Sequence, residues 1–117
     1  MNNPEKMDDI NFDDFTKIDM RAGKIISVKD NEKAHKPSYI LEVDLGEKIG
    51  IKKSSAQITN YSKDELINKY VICVVNFPPK RIAGHKSEVL VLGVDNEMDE
   101  VILLTPDKEI PPGNRVY

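Results

Sequence analysis

A basic loop stands between two apolar runs in residues 74–93, VVNFPPKRIAGHKSEVLVLG. The loop contains Lys80, Arg81 and Lys86 together with two prolines and a glycine. Lysine and arginine can neutralise phosphates or acidic side chains, and arginine can also stack on a base or an aromatic ring. Because the prolines restrict the backbone, we expect a stiff, extended loop that loses little entropy on binding.

Polar and apolar residues are mixed with these charges. Asn76 and Ser87 bracket the loop, where their side chains can hydrogen-bond the backbone and hold its ends. Phe77 and Ile82 lie among the cations, and exposed apolar groups in that position suit a peptide better than a phosphate backbone. A solvated loop with ordinary surface lysines is the alternative interpretation, and the spacing of the residues does not decide between the two.

A second basic pair, Lys52 and Lys53, runs into the polar segment SSAQITNYS, which begins at Ser54. Strand alternation requires one of the two lysines to point outward. The polar side chains that follow could form part of a binding surface. They could equally be the end of a strand that leads into a helix cap.

The chain is acidic as a whole but not uniformly so. Its formal net charge is −3, which argues against indiscriminate coating of nucleic acid. Residues 1–19 hold six acidic and two basic residues, a net of −4, so the remainder sums to +1. No acid occurs between Lys69 and Glu88, the interval that contains the basic loop. A local basic patch is therefore expected on an acidic protein.

Several classes of protein are disfavoured by the composition. No apolar run approaches the roughly 20 residues that span a bilayer, and the acidic start, MNNPEKMDDINFDDF, does not resemble a secretory signal. We therefore expect a cytoplasmic protein with no membrane insertion. The single Cys73 lies in an apolar run and is interpreted as a buried hydrophobe. His35 and His85 lack metal-site spacing, and no nucleophile stands beside a base, so we expect neither enzyme activity nor a metal or other cofactor.

The 117 residues are expected to form one domain, with residues 1–11 loosely held. FDDFTKI predicts a helical turn, and MRAGKIISV, SYILEVDLG and EKIGIKKS predict three strands, of which the last two form a hairpin. SKDELINKY predicts a short helix with a capping box at Ser62 and Glu65. VICVVNF and EVLVLGV predict strands buried on both sides. Finally, DEVILLTP adds a strand, and IPPGNRVY predicts a turn and an extended tail.

This order of elements predicts an all-β protein. A small helix between the third and fourth of five curled strands is the layout of the OB-fold barrel, here with N- and C-terminal extensions. Such barrels bind ligands with the loops between strands 1 and 2 and between strands 4 and 5, which are KDNEKAHKP and PPKRIAGHKS in this chain. The basic loop is therefore predicted to be a ligand-facing rim.

Two motifs resemble a known family. DFTKIDMRAGKI is similar to the opening of the tRNA-binding OB domains, which occur as free-standing proteins and at the C-terminus of methionyl-tRNA synthetases. KSSAQIT together with NFPPKRIAGHKSEVLVLG resembles one branch of that superfamily, the CsaA proteins. The resemblance runs from about residue 12 to the C-terminus, so it implies a single tRNA-binding-type OB domain over residues 1–117.

The resemblance also implies a function. CsaA proteins are export-linked chaperones that bind unfolded or precursor polypeptides, and a homodimer formed through the terminal extensions is expected. The alternative is a tRNA-binding module that uses the same surface. Both would use side chains on or beside the basic loop. The candidate binding residues are Lys52, Lys53, Ser54, Asn76, Phe77, Lys80, Arg81, Ile82, Lys86, Ser87 and Glu88.

Overall fold

The computed structural model describes residues 3–117, and strands account for most of the regular structure within that range. The strands are β1 Met20–Asp30, β2 Tyr39–Asp44, β3 Ile51–Ala56, β4 Tyr70–Val74, β5 Lys80–Ile82, β6 His85–Ser87, β7 Leu90–Val91, β8 Gly93–Asp95 and β9 Val101–Leu103. The helices are α1 Phe12–Thr16, α2 Gly46–Ile49 and α3 Lys63–Leu66. None of these helices has the length and apolarity needed to cross a membrane.

Five strands form one antiparallel sheet in the order β3-β2-β1-β4-β7. The sheet curls until its two ends approach each other. A hydrogen bond joins these ends: the backbone N–H of Glu88, just before β7, donates to Lys53 O in β3 at 2.7 Å. The helix α3 lies between β3 and β4 in the chain. A nearly closed five-stranded barrel with this helix is an OB-fold, which confirms the predicted fold class.

The long strand β1 forms the centre of the barrel and bends sharply. Its pairing with β2 shifts register between Ile25 and Ser27, which marks a β-bulge. Gly23 lies nearby, and a Cβ placed on it would meet Val43 Cγ1 at 2.5 Å. This glycine therefore permits close packing of β1 on β2, whereas the bulge itself forms a few residues later.

The core is built mainly from one face of β2. Tyr39, Leu41, Val43 and Leu45 are all buried, as the alternating pattern predicted. They pack with side chains from the other strands and from α3 in a single cluster. Burial of this apolar surface is the main stabilisation of a barrel of this size.

The helix α3 is capped as its sequence predicted. Glu65 N donates to Ser62 Oγ at 3.1 Å, and Ser62 N donates to Glu65 Oε1 at 2.9 Å. These two bonds complete the capping box and lower the pKa of the Glu65 carboxyl. The helix then buries Leu66 in the core, which anchors this short element to the barrel.

Two strand predictions were wrong. The segment before β3 is the helical turn α2, because Gly50 at φ +84° reverses the chain and separates Ile49 from the exposed Ile51. The apolar run EVLVLGV is two short strands in different sheets, since the chain leaves β4 at Gly93 and pairs with β9. Leu90 is therefore exposed rather than buried on both sides.

The C-terminal extension packs along β1. Ala22 N donates to Asn114 O at 2.9 Å and Val116 N donates to Met20 O at 2.8 Å, so the C-terminal tail runs beside this strand, a placement that the sequence did not predict. At the other end, α1 forms the predicted helical turn, and residues 3–10 before it are exposed. The loose structure expected for residues 1 and 2 lies outside the described residues.

Candidate ligand-binding surface

The basic loop is a β-hairpin rather than the extended loop that its prolines predicted. Strands β5 and β6 pair antiparallel, with Ile82 opposite His85. Ala83 and Gly84 form the turn between them at φ +47° and +81°. Two successive positive φ values are typical of the tight type I′ hairpin turn, and glycine accepts this conformation without strain.

The cations of the hairpin are exposed and crowded. Arg81 and Lys86 are direct partners in the register, and like charges in that position destabilise a strand pair. Arg81 Nη1 donates to Gly84 O at 2.9 Å, which braces the turn. Neither Lys80 nor Lys86 has an ion-pair partner among residues 3–117. An anionic group bound here would relieve the repulsion between the two cations.

An apolar groove lies at the foot of the hairpin, with a cavity of about 200 Å³. Its apolar side chains are substantially exposed, since Phe77 is 54% and Leu90 is 49% exposed. We call it the hairpin groove. It is lined by Phe77, Pro78, Lys80, Ile82, Ser87, Glu88, Val89 and Leu90.

The structure thus brings together five of the candidate residues predicted from the sequence: Phe77, Lys80, Ile82, Ser87 and Glu88. Sequence reasoning missed Val89 and Leu90, because it assigned their apolar run to a fully buried strand. Gly93 could have indicated them, because a glycine within a strand often marks a bulge or a tight bend.

Ser87 and Glu88 close the barrel beside the groove. Ser55 N donates to Ser87 Oγ at 3.2 Å, and Lys53 N donates to Glu88 Oε1 at 3.2 Å. The second oxygen of Glu88 lies 3.7 Å from Lys52 Nζ. These side chains therefore satisfy the open edge of β3, and Lys52 is an ion-paired residue of the barrel rim.

Ser54 was predicted to lie on the binding surface, and this was wrong. It is 2% exposed because it pairs in register with Leu41, so its side chain shares the interior face of the barrel. Lys53 is exposed on the opposite face. It lines a small cavity of about 130 Å³ together with His85 of the hairpin.

Asn76 positions the N-terminal extension. Its Nδ2 donates to Lys17 O at 2.7 Å, and its Oδ1 accepts from Asp19 N at 3.0 Å. These bonds tie the chain just after α1 to the segment between β4 and β5. The Asn76 amide therefore fixes the position of the N-terminal extension beside the hairpin.

The single cysteine lies apart from this surface. Cys73 is fully buried, and burial raises the pKa of its thiol to about 12, which agrees with the prediction of an inert hydrophobe. Within the part of the chain that the structure describes, no three histidine, cysteine or acidic side chains are arranged to hold a metal ion.

Known proteins are similar to this chain in fold and in sequence. The family model described as "Putative tRNA binding domain" matches residues 20–115. The CsaA chaperone protein of Picrophilus torridus is 56% identical, with a TM-score of 0.87 over 92% of this chain and 99% of that one. The chaperone CsaA of Bacillus anthracis is 45% identical, with a TM-score of 0.87 over 94% of this chain and 100% of that one.

The chain belongs to the CsaA-like tRNA-binding domain family.

This CsaA-like domain is also similar to one part of larger enzymes. Methionine–tRNA ligase of Pyrococcus horikoshii is 43% identical over an alignment 117 residues long, which includes 96% of this chain and 15% of the ligase. The Nanoarchaeum equitans ligase is 43% identical over 112 residues, which cover 92% of this chain and 13% of the ligase. The chain thus spans about 15% of the length of the curated relatives it matches first, and the matched family describes a tRNA-binding module.

Proposed function

We propose that this domain is a cytoplasmic chaperone that binds unfolded or precursor polypeptides, with a role in protein export. The observation that carries the proposal is the hairpin groove, where exposed Phe77 and Leu90 lie beside Lys80, a cation with no ion-pair partner within residues 3–117. An unfolded chain offers exposed apolar side chains, and burying one in the groove is favourable. The two CsaA structures, described as chaperones, support this proposal.

Salt dependence provides a direct test of polypeptide binding. Because apolar burial is little screened by ions, we expect a labelled unfolded polypeptide to stay bound as salt is raised. Phe77→Ala should weaken binding about tenfold, the loss typical of a buried aromatic anchor. Fluorescence anisotropy across a salt series measures both effects.

Met98→Ala is the matched control, because Met98 is also an exposed apolar loop residue, at 78%, and lies outside the groove. Equal affinities of the two variants would argue against the groove as the polypeptide site. Binding that disappeared between low and physiological salt would argue against the chaperone function itself.

A second function, tRNA binding through the hairpin, is favoured by the opposed cations Arg81 and Lys86. The family to which the chain belongs supports it. Phosphate contacts release counterions, so contacts to two to four phosphates predict a slope of about −2 to −4 in log affinity against log salt. The same basic hairpin could serve both functions, since charge and apolar surface lie side by side.

The triple variant Lys80→Ala, Arg81→Ala and Lys86→Ala should abolish tRNA binding, because it removes the cations of the hairpin. The control is a triple alanine variant at Lys6, Lys48 and Lys108, which are exposed and outside the hairpin. Filter binding of bulk tRNA measures both. Undiminished tRNA affinity in the first variant would refute this placement of the site.

We also propose that the domain acts as a homodimer that joins through its terminal extensions. Phe12 is 73% exposed and Tyr117 is fully exposed, which leaves apolar surface at both ends of the chain. Phe15, Ile110 and Val116, also expected to lack local partners, are partly buried. Exposed apolar residues on a small domain favour self-association.

A further inference from the structure

The outer strand of the hairpin, β5, has one edge that faces solvent. Among residues 3–117, β5 pairs with β6 and with no other strand. The strand β6 lies against the barrel, because Ser87 Oγ accepts from Ser55 N in β3 at 3.2 Å. All three residues of β5 are exposed. One side of the β5 backbone therefore faces β6, and the other side is an open edge.

The turn determines which backbone groups point to this open edge. A two-residue turn is flanked by a hydrogen-bonded pair, which here is Ile82 opposite His85. Hydrogen-bonded and non-hydrogen-bonded pairs alternate along antiparallel strands, so Arg81 and Lys86 form a non-hydrogen-bonded pair. The N–H and C=O of Arg81 therefore point away from β6, and neither has a backbone partner elsewhere in residues 3–117.

Pro79 agrees with this orientation of the strand. It lies two residues before Arg81, so its nitrogen is on the same, outer side. A proline is tolerated in an edge strand where the missing N–H would face solvent. Prolines, charged residues and short length also protect an open edge against uncontrolled pairing with other chains. The edge is therefore suited to short, reversible pairing.

The hairpin groove lies on one face of the same strand. Side chains alternate along a strand, so Pro78, Lys80 and Ile82 point to the same side. All three line the groove, whereas Arg81 does not. A strand added at the open edge would consequently place every second side chain at the groove. The side chains between them would lie beside Arg81.

The opposite face of the hairpin is basic. Arg81 and Lys86 are directly opposed there, and neither has an ion-pair partner among residues 3–117. A carboxylate on the added strand would be the next cross-strand neighbour of Arg81 and would relieve the repulsion between the two cations. The strand that fits this edge therefore alternates apolar and acidic residues.

We propose that an extended segment of the bound polypeptide adds to the open edge of β5 as a further strand. Its apolar side chains enter the hairpin groove, and its acidic side chains face Arg81. This inference rests on the proposed chaperone function and describes how the polypeptide is held. Main-chain hydrogen bonds provide affinity for any sequence, and the groove selects alternate side chains.

The open edge favours an unfolded chain over other partners. An extended polypeptide offers unpaired N–H and C=O groups in the spacing of a strand. The backbone groups of a helix are already bonded within the helix. The phosphate backbone of RNA has no amide groups that could continue the ladder. Strand addition thus explains why a protein with this hairpin would bind polypeptides that have lost their fold.

Backbone methylation of the ligand tests this mode of binding. The probe is a short fluorescein-labelled peptide in which leucine and aspartate alternate. In an antiparallel pair, an aspartate opposite Arg81 points its N–H at the protein, whereas the leucine N–H groups point away. N-methylation of the aspartates should weaken binding about tenfold, because it removes a donor of the ladder. N-methylation of the leucines should leave the affinity unchanged.

The two methylated peptides are matched controls for each other. They have the same composition, charge and apolar surface, and differ only in the side of the strand that carries the methyl groups. Fluorescence anisotropy with the full chain gives the three affinities. Equal affinities for all three peptides, or the same loss with both methylated peptides, would overturn strand addition.

Variants of the protein test the other partner of the bond. Arg81→Pro removes the outward N–H, and a proline is tolerated at this position of an edge strand. Arg81→Ala is the control, because it removes the charge and keeps the N–H. We expect Arg81→Pro to bind the unmethylated peptide about tenfold more weakly than Arg81→Ala. Equal affinities of the two variants would contradict a role for the Arg81 backbone.

The outcomes distinguish strand addition from the function on which it rests. If methylation had no effect while Phe77→Ala still weakened binding of an unfolded polypeptide, strand addition would fall and the chaperone function would stand. If neither the unmethylated peptide nor the unfolded polypeptide bound, both proposals would fall. Binding of bulk tRNA in that case would leave the hairpin as a tRNA site alone.

Discussion

At the scale of single residues, Glu88 controls the charge of the proposed surface. Its carboxylate accepts from the backbone of Lys53 and lies 3.7 Å from the ammonium of Lys52. The acid is therefore neutralised within the barrel rim and does not oppose the cations of the hairpin. A ligand that approaches from solvent meets Lys80, Arg81 and Lys86, for which residues 3–117 provide no ion-pair partner.

A second carboxylate, Asp19, joins the terminal extensions. Arg21 Nε donates to Asp19 Oδ1 at 2.6 Å, and Arg115 Nε lies 3.9 Å from the same oxygen. The hydrogen bond from Arg21, together with the charges of both arginines, lowers the pKa of Asp19 below its ordinary value of 3.8. One carboxylate thus links β1 to the C-terminal tail.

Asp19→Asn should lower the free energy of unfolding at neutral pH, by ~1 kcal/mol at most for a partly exposed pair. Because the pKa is depressed in the folded state, this stabilisation is present above pH 3.8 and is lost as the pH falls towards the folded-state value. Urea unfolding at pH 7 and pH 2 should therefore show a smaller difference between variant and parent at pH 2.

Asp107→Asn is the control for that measurement, because Asp107 is exposed and has no ion-pair partner among residues 3–117. It should leave the stability unchanged at both pH values. An Asp19→Asn variant as stable as the parent at pH 7 would show that the ion pairs of Asp19 with Arg21 and Arg115 contribute no net stabilisation.

At the scale of elements, the hairpin β5–β6 is the part of the fold that places ligand-binding groups. Its strands have three residues each, and an isolated hairpin of this size is unstable in water. It is held by its turn, by Ser87 on β3 and by Lys33 across Gly84. Lys80, Ile82 and Ser87 of this hairpin border the hairpin groove.

Gly84→Ala should therefore weaken both polypeptide and tRNA binding. The residue has φ +81°, where an L side chain costs about 1–2 kcal/mol, and its Cβ would press on Lys33. We expect faster hydrogen exchange in β5 and β6 and about tenfold weaker binding, if the strain is released by opening the hairpin. Exchange measured by NMR reports the first effect and anisotropy the second.

Gly50→Ala is the matched control. Gly50 has φ +84° and open space around its hypothetical Cβ, and it lies between α2 and β3, away from the hairpin. Its ψ of −163° makes the conformation essentially restricted to glycine, so the substitution imposes at least as much backbone strain, and global stability should fall without loss of ligand affinity. Equal losses of affinity in the two variants would show that Gly84 acts through general stability.

At the scale of the whole molecule, acidic and basic residues are segregated. The first 19 residues carry a net charge of −4, while the hairpin is basic and free of acids. The exposed apolar residues of the two termini lie outside the hairpin groove. A second copy could cover these ends and leave the basic surfaces accessible to ligand.

The proposed homodimer predicts a dimeric mass at micromolar concentration in sedimentation equilibrium. Phe12→Asp should shift the protein towards monomer, because it places a charge in an apolar contact. Met98→Asp, at an exposed apolar residue away from the termini, should leave the dimer intact. A parent protein that sediments as a monomer would end this proposal.

Much of the fold was predictable because it depends on residues close together in the chain. The alternation of β2 placed its core side chains correctly, and Ser62 and Glu65 marked the start of α3. By contrast, the sequence predicted an extended loop and not the pairing of β5 with β6 across the turn at Ala83 and Gly84, because so short a hairpin depends on contacts with the rest of the fold. The clustering of Phe77, Lys80 and Ile82 followed from their proximity in sequence.

The sequence by itself determined the five-stranded barrel with its intervening helix, the basic character of the hairpin and the family. These properties follow from local periodicity, capping residues and motifs. Only the tertiary structure decided that Ser54 faces the core, that Leu90 lines the hairpin groove and that β5 is the outer strand of the hairpin. Each of these positions depends on which distant segment a strand pairs with, and a one-residue shift in register would reverse the side that a residue faces.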